Sequence, residues 1–194
     1  MEIAERKANL RGDMRTIRGN IDDRSRSKAA EALVYRLVNL PAVRHARCIG
    51  AYYACGSELS LQPAIETLRA ENSPITVAYP LLVSEDSMLY VSFAPGDDMT
   101  VLERPSSIVT DIPHERIVET DQLDIVLVPG LAFDAQGKRL GQGGGHFDRM
   151  LPHLKPEAVA IGIAFDEQIV DDVPVSAHDR RVDYVLTPSR LIAV

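Results

Sequence analysis

Apolar residues recur along this chain at spacings that predict helices in some stretches and buried strands in others. In the first 21 residues an apolar side chain returns every three or four positions, at Leu10, Met14, Ile17 and Ile21. That spacing matches one face of an α-helix, so a helix is predicted over residues 2–19. A second stripe on the same helix is basic and contains Lys7, Arg11, Arg15 and Arg18.

A second helix is predicted to run to about Asn39, with Asp22 or Asp23 capping its first turn. Short apolar runs bounded by turn residues are typical of buried strands, and one of them is predicted to stop at Pro80. The predicted strands cover residues 48–55, 75–79, 88–93, 124–130, 158–165 and 182–186, and two more helices cover 60–70 and about 144–154. Residues 94–123 are predicted to form a long irregular excursion.

Strands that alternate with helices predict an α/β fold with a mainly parallel sheet flanked by helices. The length suits a single domain over residues 1–194, with the helical pair of residues 1–40 packed on it. Ligands of such sheets bind beyond the carboxyl ends of the strands. Glu58 and the loop over 131–148 each follow a predicted strand. Both are therefore expected to border one crevice, with the basic first helix leaning over it.

Composition narrows the classes of function. The formal net charge is −7 and the pI is about 5.2, which argues against a nucleic-acid partner because a duplex binder needs a basic surface. The first 28 residues nevertheless hold eight Lys and Arg against five Asp and Glu, which indicates a local anion site. No apolar run reaches the roughly 18–20 residues of a membrane span, and no signal peptide is recognised. We therefore expect a cytoplasmic protein that does not bind membranes.

The two cysteines, Cys48 and Cys55, lie on opposite faces of their predicted strand, so a disulfide between them is not expected. Zinc would need more ligands at closer spacing, and the five histidines show no paired spacing that suggests a metal site. Both cysteines are interpreted as reduced thiols.

The strongest candidate for chemistry is a segment with Gly at positions 141, 143, 144 and 145, between a predicted strand and a predicted helix. Glycines let backbone N–H groups approach phosphate oxygens, and a helix start adds unpaired N–H donors, so the segment is a candidate phosphate cradle. Lys138 and Arg139 precede it and can neutralise phosphate charge. His146 and Phe147 exclude a Walker loop, and His146 also excludes a dinucleotide fingerprint. The alternative is a turn that packs helix against sheet.

Several charged residues fit such a site, although each also has an ordinary structural interpretation. Lys7 and Arg11 are one helical turn apart and can grip one polyphosphate, or can form a solvated helix face. Asp148 can hold magnesium between protein and phosphates, or can simply favour the start of the predicted helix. Asp179 can hold magnesium or form a surface salt bridge. Glu58 can bind a substrate ring N–H or cap the next helix.

The flanking residues add a resemblance to a known family. The glycine segment and its surroundings resemble the signature of the 5-formyltetrahydrofolate cyclo-ligase family at Val128-Pro-Gly-Leu-Ala-Phe-Asp134, Gly137 and Arg139-Leu-Gly-Gln-Gly-Gly-Gly-His-Phe-Asp-Arg149. Three further segments resemble the family in the same order, so that the likeness covers essentially the whole chain and is weakest over 97–120. They are Lys7-Ala-Asn-Leu-Arg11, Tyr52-Tyr53 through Glu58-Leu59, and His178-Asp179 with Val182-Asp183.

The resemblance implies an ATP-dependent conversion of 5-formyltetrahydrofolate to 5,10-methenyltetrahydrofolate, with ADP and phosphate released. It also implies a fold similar to the sugar-isomerase and coenzyme A-transferase group. Phosphorylation of the formyl oxygen would make it a leaving group, a step that depends on positioning and charge neutralisation. The implied ligands are ATP as co-substrate, a reduced folate and Mg²⁺. We expect a monomer or weak dimer.

Residue by residue, the resemblance assigns roles to the matching positions. Asp148 and Asp179 would hold magnesium. The folate would contact Tyr53 and Glu58 on its pterin side, and also Gly145 and His146. The candidate catalytic residues are Arg139 and His146. The ATP-binding set is Lys7, Arg11, Arg139, Leu140, Gly141, Gln142, Gly143, Gly144, Gly145, His146 and Phe147.

One departure from the family pattern falls inside this segment. The family usually has Tyr-Tyr before the Asp, whereas this chain has His146-Phe147, so a phenolic hydroxyl is lost at each position. Imidazole can still donate a hydrogen bond, and protonated His146 is predicted to bind a phosphate or formyl oxygen more strongly. Two alternatives stay open here: a phosphosugar enzyme on the same fold that consumes no ATP, and a folate- or nucleotide-binding protein without turnover.

Overall fold

An eight-stranded sheet forms the centre of the described part of the molecule. The computed structural model describes residues 2–71, 75–103 and 107–194. In chain order the strands are β1 (Cys48–Gly50), β2 (Thr76–Leu82), β3 (Met88–Ser92), β4 (Ile117–Val118), β5 (Ile125–Pro129), β6 (Ala132–Phe133), β7 (Arg139–Leu140), β8 (Val159–Ile163), β9 (Tyr184–Leu186) and β10 (Leu191–Ala193). Strands β6 and β7 form a separate antiparallel ribbon.

The order of strands across the sheet is β10-β9-β8-β5-β1-β2-β3-β4. The five strands from β9 to β2 run parallel, whereas β10 at one edge and β3 and β4 at the other are antiparallel. The predicted α/β fold with a mainly parallel sheet is therefore confirmed. Because β1 and β5 pair directly, the loops that follow them are neighbours at the carboxyl edge.

Five helices surround the sheet in the described residues. They are α1 (Ile3–Gly19), α2 (Asp23–Val38), α3 (Pro41–His45), α4 (Gln62–Glu71) and α5 (His146–Met150). Asp22 caps α2, since its Oδ1 accepts the N–H of Ser25 at 3.0 Å. Only the short α3 has no counterpart among the predicted helices. In the part of the chain that the structure describes, no helix has the length and apolar character needed to cross a membrane.

The core lies on both faces of the sheet, because successive residues of a strand point to opposite sides. In β5, Ile125 and Leu127 belong to the apolar cluster that includes α2 and α4. Val126 and Val128 belong to a second cluster, which includes Phe133 of the ribbon and part of α5. The continuous apolar run of β5 is thus explained by burial on both sides, as a central parallel strand requires.

Helix α1 packs against segments that follow β5, and its buried face differs from the predicted one. Met14 is buried among Leu131 and Leu140. Ile17 of the predicted apolar stripe is 42% exposed, whereas Arg18 of the basic stripe is buried. The predicted apolar stripe is therefore wrong at Ile17. Arg18 takes the buried position instead, because it finds polar partners at the carboxyl edge of the sheet.

Strand β1 is shorter than the run predicted over 48–55, since it ends at Gly50. The Tyr52 hydroxyl donates to the carbonyl oxygen of Leu59 at 2.6 Å and closes the following residues into a loop. The apolar residues after Gly50 therefore serve this loop rather than a longer strand.

Pro80 does not stop its strand, so that prediction is wrong. It pairs with Tyr90 inside the ladder between β2 and β3. The N–H of Phe93 donates to the oxygen of Val77, so by alternation the backbone groups of Pro80 point away from β3. β1 has its last partner in β2 at Ala78. The N–H that proline lacks therefore falls where the parallel neighbour has already ended.

Two other segments differ from prediction. The excursion over 94–123 contains β4, which extends the sheet, and 3-10 turns at Thr100–Glu103, His114–Arg116 and Thr120–Gln122. Its residues 104–106 lie outside the described residues. The helix predicted over 144–154 shrinks to α5 and a 3-10 turn at Leu151–His153, because a left-handed Gly145 delays its start.

Candidate active site

One cavity of about 650 Å³ opens beside the segments that follow β1, β2 and β5. Every residue to which the family resemblance assigns a role lines it. They are Lys7, Arg11, Tyr53, Glu58, Arg139, Leu140, Gly141, Gln142, Gly143, Gly144, Gly145, His146, Phe147, Asp148 and Asp179. The phosphate-neutralising role predicted for Lys138 is wrong, because its Nζ pairs with Asp172 at 2.6 Å and with Asp134 at 3.5 Å and the residue does not line the cavity. Four separated stretches of the chain thus meet at the carboxyl edge, and the predicted crevice with α1 beside it is present.

The glycine segment adopts backbone conformations that other residues disfavour. Gly143 has a φ of 122° and Gly145 a φ of 69°, both in the region where a Cβ brings strain. Gly145 directly precedes α5, a helix of only 5 residues. Such a short helix supplies a smaller dipole than the longer predicted one. The predicted contribution of a helix dipole at this segment is therefore small.

Two cation–carboxylate pairs stand in the cavity wall. Lys7 Nζ lies 2.5 Å from Asp179 Oδ2 and donates to Ser176 Oγ at 2.8 Å. Arg139 Nη2 lies 2.9 Å from Asp148 Oδ2. Each pair joins a predicted phosphate-binding residue to a predicted magnesium-binding residue. The charges of the wall are therefore balanced within the protein.

Asp179 is held as a carboxylate. Burial raises its pKa, but hydrogen bonds from Lys7 and from the Ser176 N–H outweigh burial, so that the pKa lies below its usual value of 3.8. Only 17% of the side chain is exposed. Asp179 thus forms the salt bridge considered for it, but with Lys7 in the cavity wall rather than on the open surface.

Arg139 is almost fully enclosed, with 4% of its side chain exposed. Its Nη1 donates to the carbonyl oxygen of Pro129 at 3.3 Å, and its guanidinium lies 5.6 Å from the ring centroid of Phe147. Among the described residues its Nε has no hydrogen-bond partner. Phe147 therefore stacks against a cation of the site although it lacks the phenolic hydroxyl.

Helix α1 is fastened to the glycine segment by two arginines. Arg11 Nε donates to the carbonyl oxygen of Gly141 at 3.0 Å, and Arg15 donates to that of Gln142 at 3.3 Å. Lys7 and Arg11 both line the cavity. The solvated helix face considered for this pair is therefore wrong, and both cations can reach one polyphosphate there.

His146 connects the glycine segment to the turn between β2 and β3. Its Nε2 lies 2.9 Å from the carbonyl oxygen of Glu85. Because a carbonyl only accepts, Nε2 carries the proton in this contact. Arg149 makes a second connection to the same turn, donating to the carbonyl oxygen of Asp86 at 3.1 Å. The sequence does not predict this contact, since nothing in the spacing of residues 85 and 146 relates them.

The cavity wall also contains Tyr53 and Glu58. Glu58 Oε2 accepts the N–H of Cys55 at 3.0 Å. The first turn of α4 is instead bound by Ser60, whose Oγ accepts the N–H of Gln62 at 3.2 Å. The helix-capping alternative for Glu58 is therefore wrong, and its carboxylate is held inside its own loop beside the cavity.

Sequence reasoning does not identify several residues of the wall. They are Tyr52, Cys55, Pro80, Leu82, Met88, Pro129 and Gly130. Pro80 and Leu82 lie near the end of β2, and Pro129 and Gly130 lie at the end of β5. The rule that ligands bind at the carboxyl ends of parallel strands therefore contains the missing signal, once strand ends are known. Both cysteines are free thiols, as predicted.

A magnesium ion needs few protein ligands when phosphates supply the others. Within the described ranges no cluster of three or more His, Cys, Asp or Glu stands ready for a metal. Asp148 and Asp179 line the same cavity and offer hard oxygen donors. Magnesium typically uses one or two carboxylates together with phosphate oxygens and waters. This donor set therefore fits magnesium bound with a polyphosphate.

Known proteins share this sequence pattern. The family model of the 5-formyltetrahydrofolate cyclo-ligase family matches residues 3–188. The chain belongs to this family. The cyclo-ligase of Escherichia coli is 30% identical over 159 residues, which cover 80% of this chain and 86% of that protein. The cyclo-ligase of Haemophilus influenzae is 25% identical over 177 residues, which cover 90% and 94%.

Solved structures share the cyclo-ligase fold. The 5,10-methenyltetrahydrofolate synthetase of Aquifex aeolicus has a TM-score of 0.77 at 24% identity and covers 96% of this chain and 92% of its own. That of Mycoplasma pneumoniae has a TM-score of 0.76 at 22% identity and covers 94% and 98%. This chain therefore shares its fold with both solved structures over nearly its full length.

Proposed function

We propose that this cyclo-ligase family member converts 5-formyltetrahydrofolate and ATP to 5,10-methenyltetrahydrofolate, ADP and phosphate. The observation that carries the proposal is one cavity whose wall contains residues from each of the family-like segments. Membership of the family supports the same activity. The phosphosugar enzyme and the binding protein without turnover have no comparable support.

The proposed reaction makes a poor leaving group into a good one. A bond forms between the γ-phosphorus and the formyl oxygen, while the bond from that phosphorus to the bridging oxygen breaks and releases ADP. The amine N10 then attacks the formyl carbon and loses its proton. Breakage of the carbon–oxygen bond releases phosphate, which carries the former formyl oxygen away. Such a transfer needs positioning and charge neutralisation more than a nucleophile.

The cations of the wall would bind the phosphates of ATP. Lys7, Arg11 and Arg139 are the cations, and the backbone from Leu140 to Phe147 would wrap the nucleotide. Lys7 and Arg139 are paired with carboxylates in the protein alone. ATP would therefore exchange these partners, so that the cations turn to phosphate oxygens. Arg139 is placed to stabilise charge on the transferred group, since charge-assisted bonds are strongest in enclosed sites.

The same exchange would free the two carboxylates for magnesium. Asp148 and Asp179 would hold it. Magnesium, when bound, neutralises charge on the transferring phosphoryl group. The described residues contain no preformed cluster of three or more His, Cys, Asp or Glu, which suits an ion that arrives with ATP.

The folate would bind beside the nucleotide. Tyr53 and the Glu58 carboxylate would contact its pterin side, where Glu58 can accept ring N–H groups, and Gly145 and His146 would contact the formyl group. We propose His146 as a hydrogen-bond donor to the formyl or phosphate oxygen, in place of the Glu85 carbonyl that its Nε2 meets in the protein alone. Phe147 would support Arg139 by stacking.

Wider properties follow as proposals from the sequence. The acidic net charge of −7 supports a protein that does not bind nucleic acid. We propose that it works in the cytoplasm as a monomer or weak dimer.

One assay tests the proposed function. The protein is mixed with ATP, magnesium and 5-formyltetrahydrofolate, and the absorbance of the methenyl product is followed together with ADP. We expect both products in equal amounts, and neither product without ATP. Methenyl product that forms without ATP, or ATP binding without any product, would refute the proposal.

A further inference from the structure

Arg18 is buried at the end of α1 although it carries a charge, with 5% of the residue exposed. It belongs to the same basic stripe as Lys7 and Arg11, which line the cavity. Burial lowers the pKa of Arg18, and the charge of Glu58 is the first of the influences that oppose this. Burying a guanidinium is unfavourable unless its partners are well placed. The contacts of Arg18 therefore indicate its role.

Those contacts reach the loops after two neighbouring strands. Arg18 Nε donates to Ser57 Oγ at 2.9 Å, and its Nη1 donates to the carbonyl oxygen of Gly130 at 3.4 Å. The same Nη1 lies 3.8 Å from Glu58 Oε1. Ser57 and Glu58 follow β1, and Gly130 follows β5. One side chain therefore links α1 to both strand ends that border the cavity.

Glu58 is held from two sides as a result. Its Oε2 accepts the N–H of Cys55 at 3.0 Å, while its Oε1 faces Arg18. Only 14% of the Glu58 side chain is exposed. The hydrogen bond holds Oε2, and the nearby guanidinium charge attracts Oε1, which limits the orientations of the carboxylate. A restricted orientation is what recognition of ring N–H groups requires.

We propose that Arg18 is a positioning residue that orients Glu58 for binding the folate ring. This inference rests on the proposed function of Glu58. Arg18 itself lies behind the wall and does not touch the substrate. It couples the helix that carries Lys7 and Arg11, on the ATP side, to the carboxylate on the folate side. Packing alone does not need an arginine here, because Met14 one turn earlier is buried as an apolar side chain.

A double-mutant cycle tests this role. Binding of 5-formyltetrahydrofolate is measured by calorimetry for the wild type, Arg18→Gln, Glu58→Gln and the double variant. Each single change is expected to raise the dissociation constant about tenfold, a size within the range of directly coupled residues. The double variant is expected to match Glu58→Gln alone, because Arg18 acts through Glu58. Effects that multiply to about a hundredfold, as independent sites do, would overturn the proposal.

Controls separate positioning from general damage. Arg36→Gln removes a comparable guanidinium, whose Nε donates to the carbonyl oxygen of Pro188 at 2.8 Å away from the cavity. It should leave folate binding unchanged. Arg18→Lys keeps the charge with a shorter reach and should restore binding in part. Equal losses of ATP and folate binding in Arg18→Gln, in step with a lowered unfolding temperature, would show a merely structural arginine and refute the role.

The measurement also separates this inference from the proposed function. Calorimetry reports folate binding without turnover, so the cycle can be read even if no methenyl product forms. Product formation with an uncoupled cycle would defeat the positioning role alone. A wild-type protein that binds no 5-formyltetrahydrofolate would defeat both.

Discussion

Two lysine–aspartate pairs of equal length lie at opposite ends of the sheet. Lys155 Nζ lies 2.5 Å from Asp124 Oδ1 at the amino end, just before β5. Lys7 Nζ lies 2.5 Å from Asp179 Oδ2 in the cavity at the carboxyl end. In both aspartates burial raises the pKa, but the hydrogen bonds outweigh it and hold the pKa below 3.8. By charge and distance alone the two pairs are indistinguishable.

Their surroundings differ. Asp124 Oδ2 also accepts the N–H groups of Arg47 and Cys48 at 2.7 and 3.0 Å, so this aspartate ties the start of β1 to the start of β5. The Lys7–Asp179 pair instead faces a space large enough for a ligand. The Lys155–Asp124 pair therefore serves to hold two strands together, whereas the Lys7–Asp179 pair can exchange its partners for a ligand in the cavity. A partly buried lysine–aspartate ion pair therefore indicates a ligand-binding site only where the pair borders a cavity.

The largest effect is expected at the other carboxylate of the cavity. Asp148→Asn removes the partner of Arg139 and a predicted magnesium ligand, so turnover should fall about a hundredfold, the range seen when a charge-stabilising group is lost. Half-saturation with magnesium should require a higher concentration. Steady-state kinetics over a magnesium titration measures both quantities. Asp148→Glu keeps the charge beside Arg139 and serves as the control for stability. Kinetics unchanged in Asp148→Asn would remove this residue from the metal site.

A smaller effect is expected on the cation side of the pair compared above. Lys7→Gln should raise the KM for ATP about thirtyfold, because a hydrogen bond between charged groups is worth about 2 kcal/mol. Stability should change little, since the uncharged amide can still bond to Asp179. ATP titrations at saturating folate measure the change. Lys155→Gln is the matched variant at the amino end, and an equal rise of KM there would break the distinction between the two pairs.

The amino-end pair should affect stability and leave catalysis intact. Asp124→Ala leaves the N–H groups of Arg47 and Cys48 without their acceptor, so the free energy of unfolding should fall by about 1.5 kcal/mol. Urea denaturation measures it, while kcat should match the wild type. A loss of turnover with unchanged stability would reverse the roles assigned to the two ends.

The same contribution should depend on pH. Because the pKa of folded Asp124 lies below 3.8, its stabilisation is fully present above the unfolded carboxyl pKa and is lost as the pH falls through the folded value. The difference in unfolding free energy between wild type and Asp124→Ala should therefore stay constant down to about pH 4 and shrink as the pH falls below it. A difference that grows on acidification would contradict this assignment.

The smallest effect is expected at the departure from the family pattern. His146→Tyr should change kcat by less than about threefold, since either side chain can donate a hydrogen bond at this position. The KM for 5-formyltetrahydrofolate should change by a similarly small factor, and steady-state kinetics measures both quantities. A change of about tenfold or more in either quantity would show that the imidazole itself is needed.

The parallel sheet and its site are predictable because their signals are local. The continuous apolar run of β5 indicates a central strand, and the glycines before His146 mark a loop at its carboxyl side. The positions of Pro80 and Arg18 are not predictable in the same way. Pro80 is tolerated because β1 ends beside it, and Arg18 is buried because two loops distant in sequence supply its acceptors. Both depend on where separate segments meet.

The contacts between the residues of the site are likewise not predictable from the sequence. Lys7, Glu58, Asp148 and Asp179 are recognisable as candidates by residue type and by their place in family-like segments. Their pairing is not, since Lys7 and Asp179 lie at opposite ends of the chain. The contact of His146 with the turn at Glu85 is likewise set by tertiary packing.

The central claim is that the cavity activates the formyl oxygen by phosphorylating it. The most direct test uses 5-formyltetrahydrofolate labelled with ¹⁸O in the formyl group and mass analysis of the phosphate that is released. If the oxygen leaves with the phosphoryl group, each phosphate formed with methenyl product carries one ¹⁸O atom. Unlabelled phosphate formed in equal amount with the product would show that ATP is cleaved without phosphorylating the formyl oxygen, and would contradict this account.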